Sequence, residues 1–529
     1  MSLASGRNDI LTESLIDVLG PAAVITDEEE RKFYSSDVYA RGETCAVVLR
    51  PKDKENLSKA VRIATEAGYA VNPRGGGMSY TKGYIPIQEA TVLIDLGEMN
   101  QIIEINEEDM TVTAEAGVTW QQLYEALRPQ GLRLPFFGTL SGSRATVGGG
   151  LSNGALFLGT ARYGTAADNV LGMEVVLADG TTVTTGQASF HNGKPFYRTY
   201  GPDFTGLFCH DVGAFGIKVR ATFRLIRWPK ENGYASFAFP DVKSVAFGLS
   251  EVAKSGLAEE CYVFDPQSTR QNLANVDLFE GIKTLAGVVK GQSGLGSGLK
   301  EGAKLIVAGR DFVEEGAFSL HVVCAGNSKG AVNADLNDIR LMAARHGGEE
   351  IANSIPKAVR ADPFKPLNSV LGPGGTRWAA LNAKVTHSDA HRIIEEFDEL
   401  LDPHRAEMAK HGVSISRLLI GISTHAFSFE PVFHWTDEWL PLHKHVPESS
   451  YLKRFAEPIP NPKASELVEV LRTKTVQMFA ELGAASNQIG RTYPYYESMD
   501  SGAKRILDAI KANVDPEHHL NPGSLISNI

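Results

Sequence analysis

The sequence predicts an α+β fold divided between at least two domains, and three observations carry that reading. The chain has 529 residues, more than a single hydrophobic core accommodates. Its first half opens on a strand–helix–strand pattern and continues into short alternating strands. After Pro229 the pattern changes to strands that alternate with long helices, as expected where a second layer of structure covers a sheet.

Taken in order, residues 8–20 set Ile10, Leu11, Leu15, Ile16 and Leu19 on one side of a helix. "EEER" (28–31) reads as an exposed helix start. "CAVVLRP" (45–51) is an apolar, β-branched strand closed by Pro51. "KENLSKAVRIATEAGYAVNP" then gives an amphipathic helix with Gly68 past its end and a strand that runs into a glycine-rich loop. Residues 91–119 alternate apolar and polar positions between turn breaks, so several strands follow. "QQLYEALRPQG" is a short helix stopped by Pro129 and Gly131. "GMEVVLADGTTVTTG" (172–186) is a hairpin turning at Asp179-Gly180, and "FGIKVRATFRLIRWP" (215–229) is one more strand. A domain boundary is placed near 229. Beyond it, 235–330 and 377–425 alternate strands with long helices such as "SDAHRIIEEFDELLDPHRAEMAKHG". Residues 287–304, rich in glycine, are expected to form a mobile loop. The last segment, "AKRILDAIKANVDPEHHLNPGSLI", is a helix ending in a proline-rich turn.

Composition narrows the function. Hydrophobic residues at 43% and charged residues at 22% fit a folded chain rather than a disordered one. A net charge of −11 leaves no basic stripe for phosphates, which disfavours a nucleic-acid partner. Cys45, Cys209, Cys261 and Cys324 form no CxxC pair and read as reduced, mostly buried thiols of a cytoplasmic protein. The first twenty residues show no basic segment followed by an apolar stretch, and no apolar run is long enough to span a bilayer. Neither a secretory leader nor a membrane span is therefore expected.

The stretch "NPRGGGMSYTKGYIP" (72–86) sets Gly75, Gly76 and Gly77 in a row. Without Cβ atoms, successive backbone N–H groups can point into one concavity, which suits a pyrophosphate. A second stretch, 138–180, carries Gly148, Gly149 and Gly150, then Ser152-Asn153, then Arg162-Tyr163-Gly164. Two such loops suggest one long ligand touched by both. Neither is a GxGxxG directly between a strand and a helix, and "GLGSG" (294–298) also lacks that context, so the Rossmann reading fails.

In this order, "PRGGGMSYTKGYIP", "VGGGLSNGA", "RYGTAADNVLGMEVVLADG", "DFTGLFCHDVGAFGIKVRATFRL" and "VDPEHHLNPGSLI" resemble the FAD-binding flavoproteins of the vanillyl-alcohol oxidase / p-cresol methylhydroxylase type. That superfamily also contains D-lactate and glycolate dehydrogenases. The resemblance implies a two-lobed, PCMH-type FAD-binding domain over 1–229 and a cap of antiparallel sheet plus helices over 230–475. It also implies a segment over 476–529 that returns to the FAD domain. It would put Pro73, Arg74, Gly75, Gly76, Gly77, Met78 and Ser79 around the FAD pyrophosphate. Thr139, Leu140, Ser141, Ser143, Gly148, Gly149, Ser152, Asn153, Tyr163 and Gly164 would line the adenine and flavin sides. Gly213 and Ile217 would lie near the adenine half, and Asn521 would close the site.

The departures from the family pattern bear on the chemistry. Met78 stands where some relatives carry a flavin-linking histidine, and a thioether cannot replace it; non-covalent FAD is expected, the alternative being a link from a cap-domain histidine or tyrosine near His425 and His434. The metal motifs "HxGDGNxH" and "GEHGIG" of the hydroxy-acid branch become "HAFSFEPVFH" and "SNQIGR", with only His425 and Glu430 surviving; no metal is expected. The phenol-oxidising branch implies that Tyr80 and Arg491 hold a phenolate while a benzylic hydride leaves for flavin. Thr165, however, stands where that branch carries an aspartate. His425 is a candidate base, and Tyr493 a further candidate whose alternative is plain packing. The expected activity is therefore an FAD-dependent oxidase or dehydrogenase acting on a small phenolic or aryl-alcohol substrate, passing electrons to oxygen or a separate acceptor. The alternatives are a metal-independent D-2-hydroxy acid dehydrogenase and a flavin-binding protein without catalysis. Relatives suggest a homodimer.

Overall fold

The computed structural model describes residues 3–268, 317–369 and 374–526; the glycine-rich 287–304 lies outside the described residues. Among the described residues three larger sheets organise the chain, beside a two-stranded pairing of Leu132–Arg133 with Ile226–Arg227. The first holds strands Val24–Ile25, Val47–Leu49, Thr91–Asp95 and Ala70–Arg74 in that spatial order, the last three parallel. Its crossover is the helix Lys54–Glu66, which starts where Asp53 accepts the Asn56 N–H at 2.8 Å and lays Leu57, Ala60, Val61 and Ala64 on the core side. Gly68 takes φ +76° just past its end, a conformation that favours glycine.

The second sheet is antiparallel, in the order Ile102–Asn106, Thr111–Glu115, Ile217–Arg224, Val170–Val176, Thr182–Thr184. The Asp179-Gly180 hairpin falls where the sequence puts it, with Gly180 at φ +79°.

From Glu231 onward the strands belong to a third, eight-stranded sheet. Its long hairpin Ser414–Ile422 and Ala426–Thr436 pairs on one side with Glu260–Phe264 and on the other with Thr376–Ala380 and Ala383–Val385. Period-2 alternation sorts strand 426–436 into two faces. Phe429 and Phe433 meet Phe397 of helix Ala390–Leu401, Phe429 also meets Phe479 of helix Pro462–Glu481, and Trp435 donates to Ser465 of that helix. Ser428, Glu430 and His434 point the other way, and through Glu430 this polar face reaches the FAD-domain loops.

Two local expectations change. The segment 388–412 is not one helix. Pro403 has no N–H to give, and a 3-10 turn at Asp402–His404 separates Ala390–Leu401 from Arg405–His411. The glycines 148–150 are not a loop either: they form the first turns of helix Val147–Ser152, capped by Thr146.

Besides the Tyr80–Glu430 contact, an ion-pair cluster ties the lobes together and the 519–521 segment returns to the first sheet. Arg133 and Arg360 share the carboxylate of Glu259, at 2.6 and 2.7 Å, and Arg360 also reaches Glu260 at 2.6 Å; all four are buried. Both guanidiniums pack on the Phe137 ring, at 4.9 and 4.8 Å. The chain's far end adds an edge to the first sheet: Val71 N–H donates to His519 O at 2.8 Å and Asn521 N–H to Val71 O at 2.9 Å.

Candidate flavin and substrate site

Strand Ala70–Arg74 ends in the first glycine loop, and the fold brings the second glycine stretch against it. A Cβ on Gly75 would lie 2.3 Å from Thr146 Oγ1, and one on Gly76 only 1.9 Å from the Arg144 carbonyl oxygen. Both positions therefore require glycine. Gly148 and Gly150 are small for a different reason: their Cβ atoms would strike Ala116 at 2.7 Å and the Trp120 ring at 2.5 Å. Gly149 is the open one, with Thr146 Oγ1 at 3.2 Å its sole near neighbour.

The charges around these loops fit a pyrophosphate. Arg74 is buried, with Nε and Nη2 unpartnered, and is held among the rings of Phe33, Tyr34 and Tyr84 at 5.1, 4.9 and 5.5 Å. Arg144 donates from Nε to Gly76 O at 3.3 Å; burial, then the Arg74 charge, pull its guanidinium below the usual range. Two like charges in one buried place call for an anion. Asn153 carries a buried, unpartnered Oδ1 next to Gly83, an acceptor for a ligand N–H or O–H rather than for the anion. Tyr84 is not a ligand contact: its hydroxyl hydrogen-bonds to the carbonyls of Ser36 and Gly77 at 2.9 and 3.0 Å. Asp37 accepts from the N–H groups of Tyr39, Ala40 and Lys82, and burial raises its carboxyl to about 6.

On the cap side, Tyr80 leaves the first loop and meets strand 426–436. Its hydroxyl donates to Glu430 Oε2 at 3.4 Å and accepts from Gln488 Nε2 at 2.8 Å, while its ring meets Trp378 edge-on at 4.8 Å. Burial, then the Glu430 charge, keep the hydroxyl protonated far above the ordinary range. Burial also raises Glu430 from 4.5 to about 7. Asn382 donates from Nδ2 to Ser428 at 3.0 Å and Glu430 at 3.4 Å, and its N–H donates to the Tyr493 hydroxyl at 2.6 Å. The amide oxygens of Asn382, Asn487 and Gln488 are buried without a donor, so a ligand bearing N–H or O–H groups suits this wall.

The expected residues distribute as follows. Tyr80 and Tyr493 fall in this cluster. Arg491 does not: it donates to the carbonyls of Lys82, Ile85 and Pro522 and to Asn521 Oδ1, at 2.6 to 3.1 Å. The expected phenolate clamp of Tyr80 with Arg491 is thus absent, because the guanidinium is committed to stitching the 82–85 loop to the C-terminal return. His425 also lies elsewhere. It is exposed in the turn between strands 414–422 and 426–436 rather than within a strand, so it is no base for this cluster.

Asn521 is fully buried and donates to Gly83 O and Val212 O, both at 2.7 Å. Gly213 turns at φ +76°, where a Cβ would lie 2.5 Å from Pro73 Cγ, and Ile217 is buried in the core. Thr139 and Ser141 pair at 3.0 Å and Ser143 reaches Lys365 O at 3.4 Å, with Leu140 exposed. Ser79 pairs with Thr81 at 3.1 Å and Met78 packs on the cap core. Ser152 lies in helix Val147–Ser152, and its carbonyl accepts the Val212 N–H at 3.1 Å. The Tyr163 ring lies under the Arg224 guanidinium at 6.0 Å, and Gly164 turns at φ +76°. Glu430 and Gln488 entered the sequence reading solely as remnants of a metal motif; Asn382, Trp378 and Arg472 did not enter it. Among the described residues, no three His, Cys, Asp or Glu side chains are placed to share a metal ion, and no helix is long and apolar enough to cross a membrane.

Comparison with known proteins bears on the fold and the cofactor. Residues 45–186 match the model of an FAD binding domain. The chain is 30% identical over 213 residues to a D-lactate dehydrogenase [cytochrome] of Saccharomyces cerevisiae, covering 40% of this chain and 35% of that one. It is 29% identical over 258 residues to glycolate oxidase subunit GlcD of Bacillus subtilis, covering 49% and 53%. The matches thus span about half or less of those relatives' own lengths. In fold, 98% of the chain superposes on 96% of p-cresol methylhydroxylase, with TM-score 0.72 and 18% identity. It superposes on 97% of 4-ethylphenol oxidase from Gulosibacter chungangensis, with TM-score 0.73 and 19% identity. The chain carries an FAD binding domain over 45–186 and has the two-lobed fold of p-cresol methylhydroxylase and 4-ethylphenol oxidase.

Proposed function

We propose that the protein is an FAD-dependent oxidoreductase that takes a hydride from the carbinol or benzylic carbon of a small phenolic or aryl-alcohol substrate. The observation that supports this most directly is the buried Tyr80–Glu430–Gln488 cluster, walled by the Trp378 ring, where the first glycine loop meets the cap. FAD supplies the hydride acceptor. Glu430, with its carboxyl at about 7, is poised near neutral pH to accept the proton of the substrate hydroxyl. Tyr80 stays protonated and donates to that hydroxyl's oxygen, and Gln488 holds Tyr80 in place. The edge of Trp378 against Tyr80 favours a flat aromatic ring. Electrons then pass to oxygen or to a separate acceptor.

A second reading, oxidation of a D-2-hydroxy acid without a metal, is favoured by the relatives named as D-lactate and glycolate enzymes. A carboxylate would need a free cation beside Tyr80, and the nearby arginines are committed. Arg472 donates to the carbonyls of Ala379, Ala380 and Tyr80 at 2.8 to 3.3 Å, and Arg491 is tied as described. Anaerobic mixing of the holoprotein with 4-hydroxybenzyl alcohol and, separately, with D-lactate tests the choice. The aryl alcohol should bleach the flavin absorbance. Bleaching by D-lactate alone would establish the second reading, and bleaching by neither would refute both.

A further inference from the structure

The wall around the Tyr80–Glu430 pair is one-sided in its chemistry. Glu430 Oε2 accepts from the Tyr80 hydroxyl and from Asn382 Nδ2, both at 3.4 Å, and the Tyr80 oxygen accepts from Gln488 Nε2 at 2.8 Å. A carboxylate can only accept, so it fixes the direction of both amides. Asn382 must turn its nitrogen to Glu430. Tyr80, having given its one proton to Glu430, can only accept from Gln488. The oxygens of both amides are left over: Asn382 Oδ1 and Gln488 Oε1 are buried and take no hydrogen bond. Each shares a planar amide with a nitrogen bound to the pair, so each lies within one functional group's width of it.

Neighbouring donors are already spent. Arg472 gives its protons to the carbonyls of Ala379, Ala380 and Tyr80, and the Asn382 N–H goes to the Tyr493 hydroxyl at 2.6 Å. Asn382 is 1% exposed, so bulk water does not reach its oxygen. Trp378 and Gln488 are half-buried, which leaves the cluster a side that a ligand can approach. A buried acceptor without a donor carries the cost of its lost hydration. Two of them beside one hydroxyl-binding pair call for a ligand with donors on neighbouring atoms. A single hydroxyl has one proton and cannot serve Glu430 and an amide oxygen together.

We propose that Asn382 and Gln488 determine specificity, and that the substrate ring they select carries two adjacent hydroxyls, a catechol rather than a lone phenol or its methyl ether. The proposal rests on the reading that places an aryl substrate at this cluster, and it names the class of that substrate. One ring hydroxyl engages Glu430 and Tyr80, and its neighbour donates to an amide oxygen. A methoxy group in the neighbour's place brings a further acceptor and a methyl against an oxygen that lacks a donor, which a hydrogen-bonding site rejects. A carboxylate in that place is rejected for the same reason.

Binding can be read apart from turnover. Catechol, phenol and 2-methoxyphenol have no carbinol or benzylic carbon to oxidise, so calorimetric titration of the FAD-loaded protein measures the wall alone. Catechol should bind about tenfold or more tighter than either of the others. In the double variant Asn382→Leu, Gln488→Met, which lacks both oxygens, the preference for catechol over 2-methoxyphenol should shrink to within about threefold. Equal affinities in the wild type, or no binding of catechol, would overturn the proposal, and this arm needs no variant to fold. An undiminished preference in the double variant would overturn it as well. Anaerobic mixing separates this failure from that of the function reading. Equal kcat/KM for 3,4-dihydroxybenzyl and 4-hydroxy-3-methoxybenzyl alcohol would refute the specificity alone. Tight catechol binding with no flavin bleaching by any aryl alcohol would refute the hydride transfer and support the wall as assigned.

Discussion

Replacing Glu430 by glutamine tests the central cluster without reference to any substrate. Glu430 is buried, and its carboxyl is raised from 4.5 to about 7, with burial the first cause. Between those pH values the folded protein keeps the proton that the unfolded chain releases. The folded state therefore binds more protons, and stability falls as pH rises across that window. The interval corresponds to about 3 kcal/mol lost by pH 8 and recovered below pH 4.5. Glutamine accepts through its amide oxygen from Tyr80 and Asn382 much as the protonated acid does, and carries no charge to desolvate. Glu430→Gln should thus match wild type near pH 4.5 and exceed its stability by about 3 kcal/mol at pH 8. Denaturant unfolding at fixed excess FAD, with variant and wild type compared at each pH, reads that difference directly and cancels the parallel titration of Asp37. A stability difference that is the same at both pH values would refute the assignment of a strained, titrating carboxyl to this cluster.

Four further outcomes follow from the geometry. In anaerobic stopped-flow with an aryl alcohol, wild-type flavin reduction should rise with pH through about 7 and level off, whereas Glu430→Gln should be roughly 10²- to 10⁴-fold slower and lack that rise. Gly76→Ala would put a Cβ 1.9 Å from the Arg144 carbonyl; the purified variant should show little flavin absorbance per mole of protein. Arg491→Lys breaks most of the clamp between the 82–85 loop and residues 521–522, costing about 3 kcal/mol. Its melting temperature should fall while KM stays near wild type, and a selective rise in KM would restore a substrate role for Arg491. Acid precipitation should leave FAD in the supernatant, since Met78 offers the cofactor no linking atom; flavin retained on the pellet would show a covalent bond from another residue.

Much of the first half of the fold was legible because its signals are local. The Gly68 stop and the Asp179-Gly180 turn each act over four residues or fewer. Glu430 was legible only as a survivor of a metal motif, not as a member of this cluster. What could not be read is pairing across the chain. Tyr80 meets Glu430 and Gln488 at sequence separations of 350 and 408, distances over which residue order carries no geometry. Arg491 misled because its partners are mostly backbone carbonyls, which leave no mark in a side-chain pattern. His425 misled because its hairpin turns through Ser423 at φ +49°, a conformation the sequence would have signalled with glycine. The 148–150 triplet shows the converse: two of its three glycines answer to packing against Ala116 and Trp120 rather than to a ligand.

The bonds from Asn521 to Gly83 and Val212 span 438 and 309 residues, and strand 70–74 gains its outer edge from residues 519–521. Contacts so far apart are among the slowest to form. A nascent or proteolysed chain lacking residue 521 would hold nearly every dinucleotide-facing residue yet leave three buried carbonyl groups without donors. Such fragments should remain colourless, so that yellow colour becomes a report of a chain that reaches residue 521, and cofactor loading a step that waits until that residue has been made.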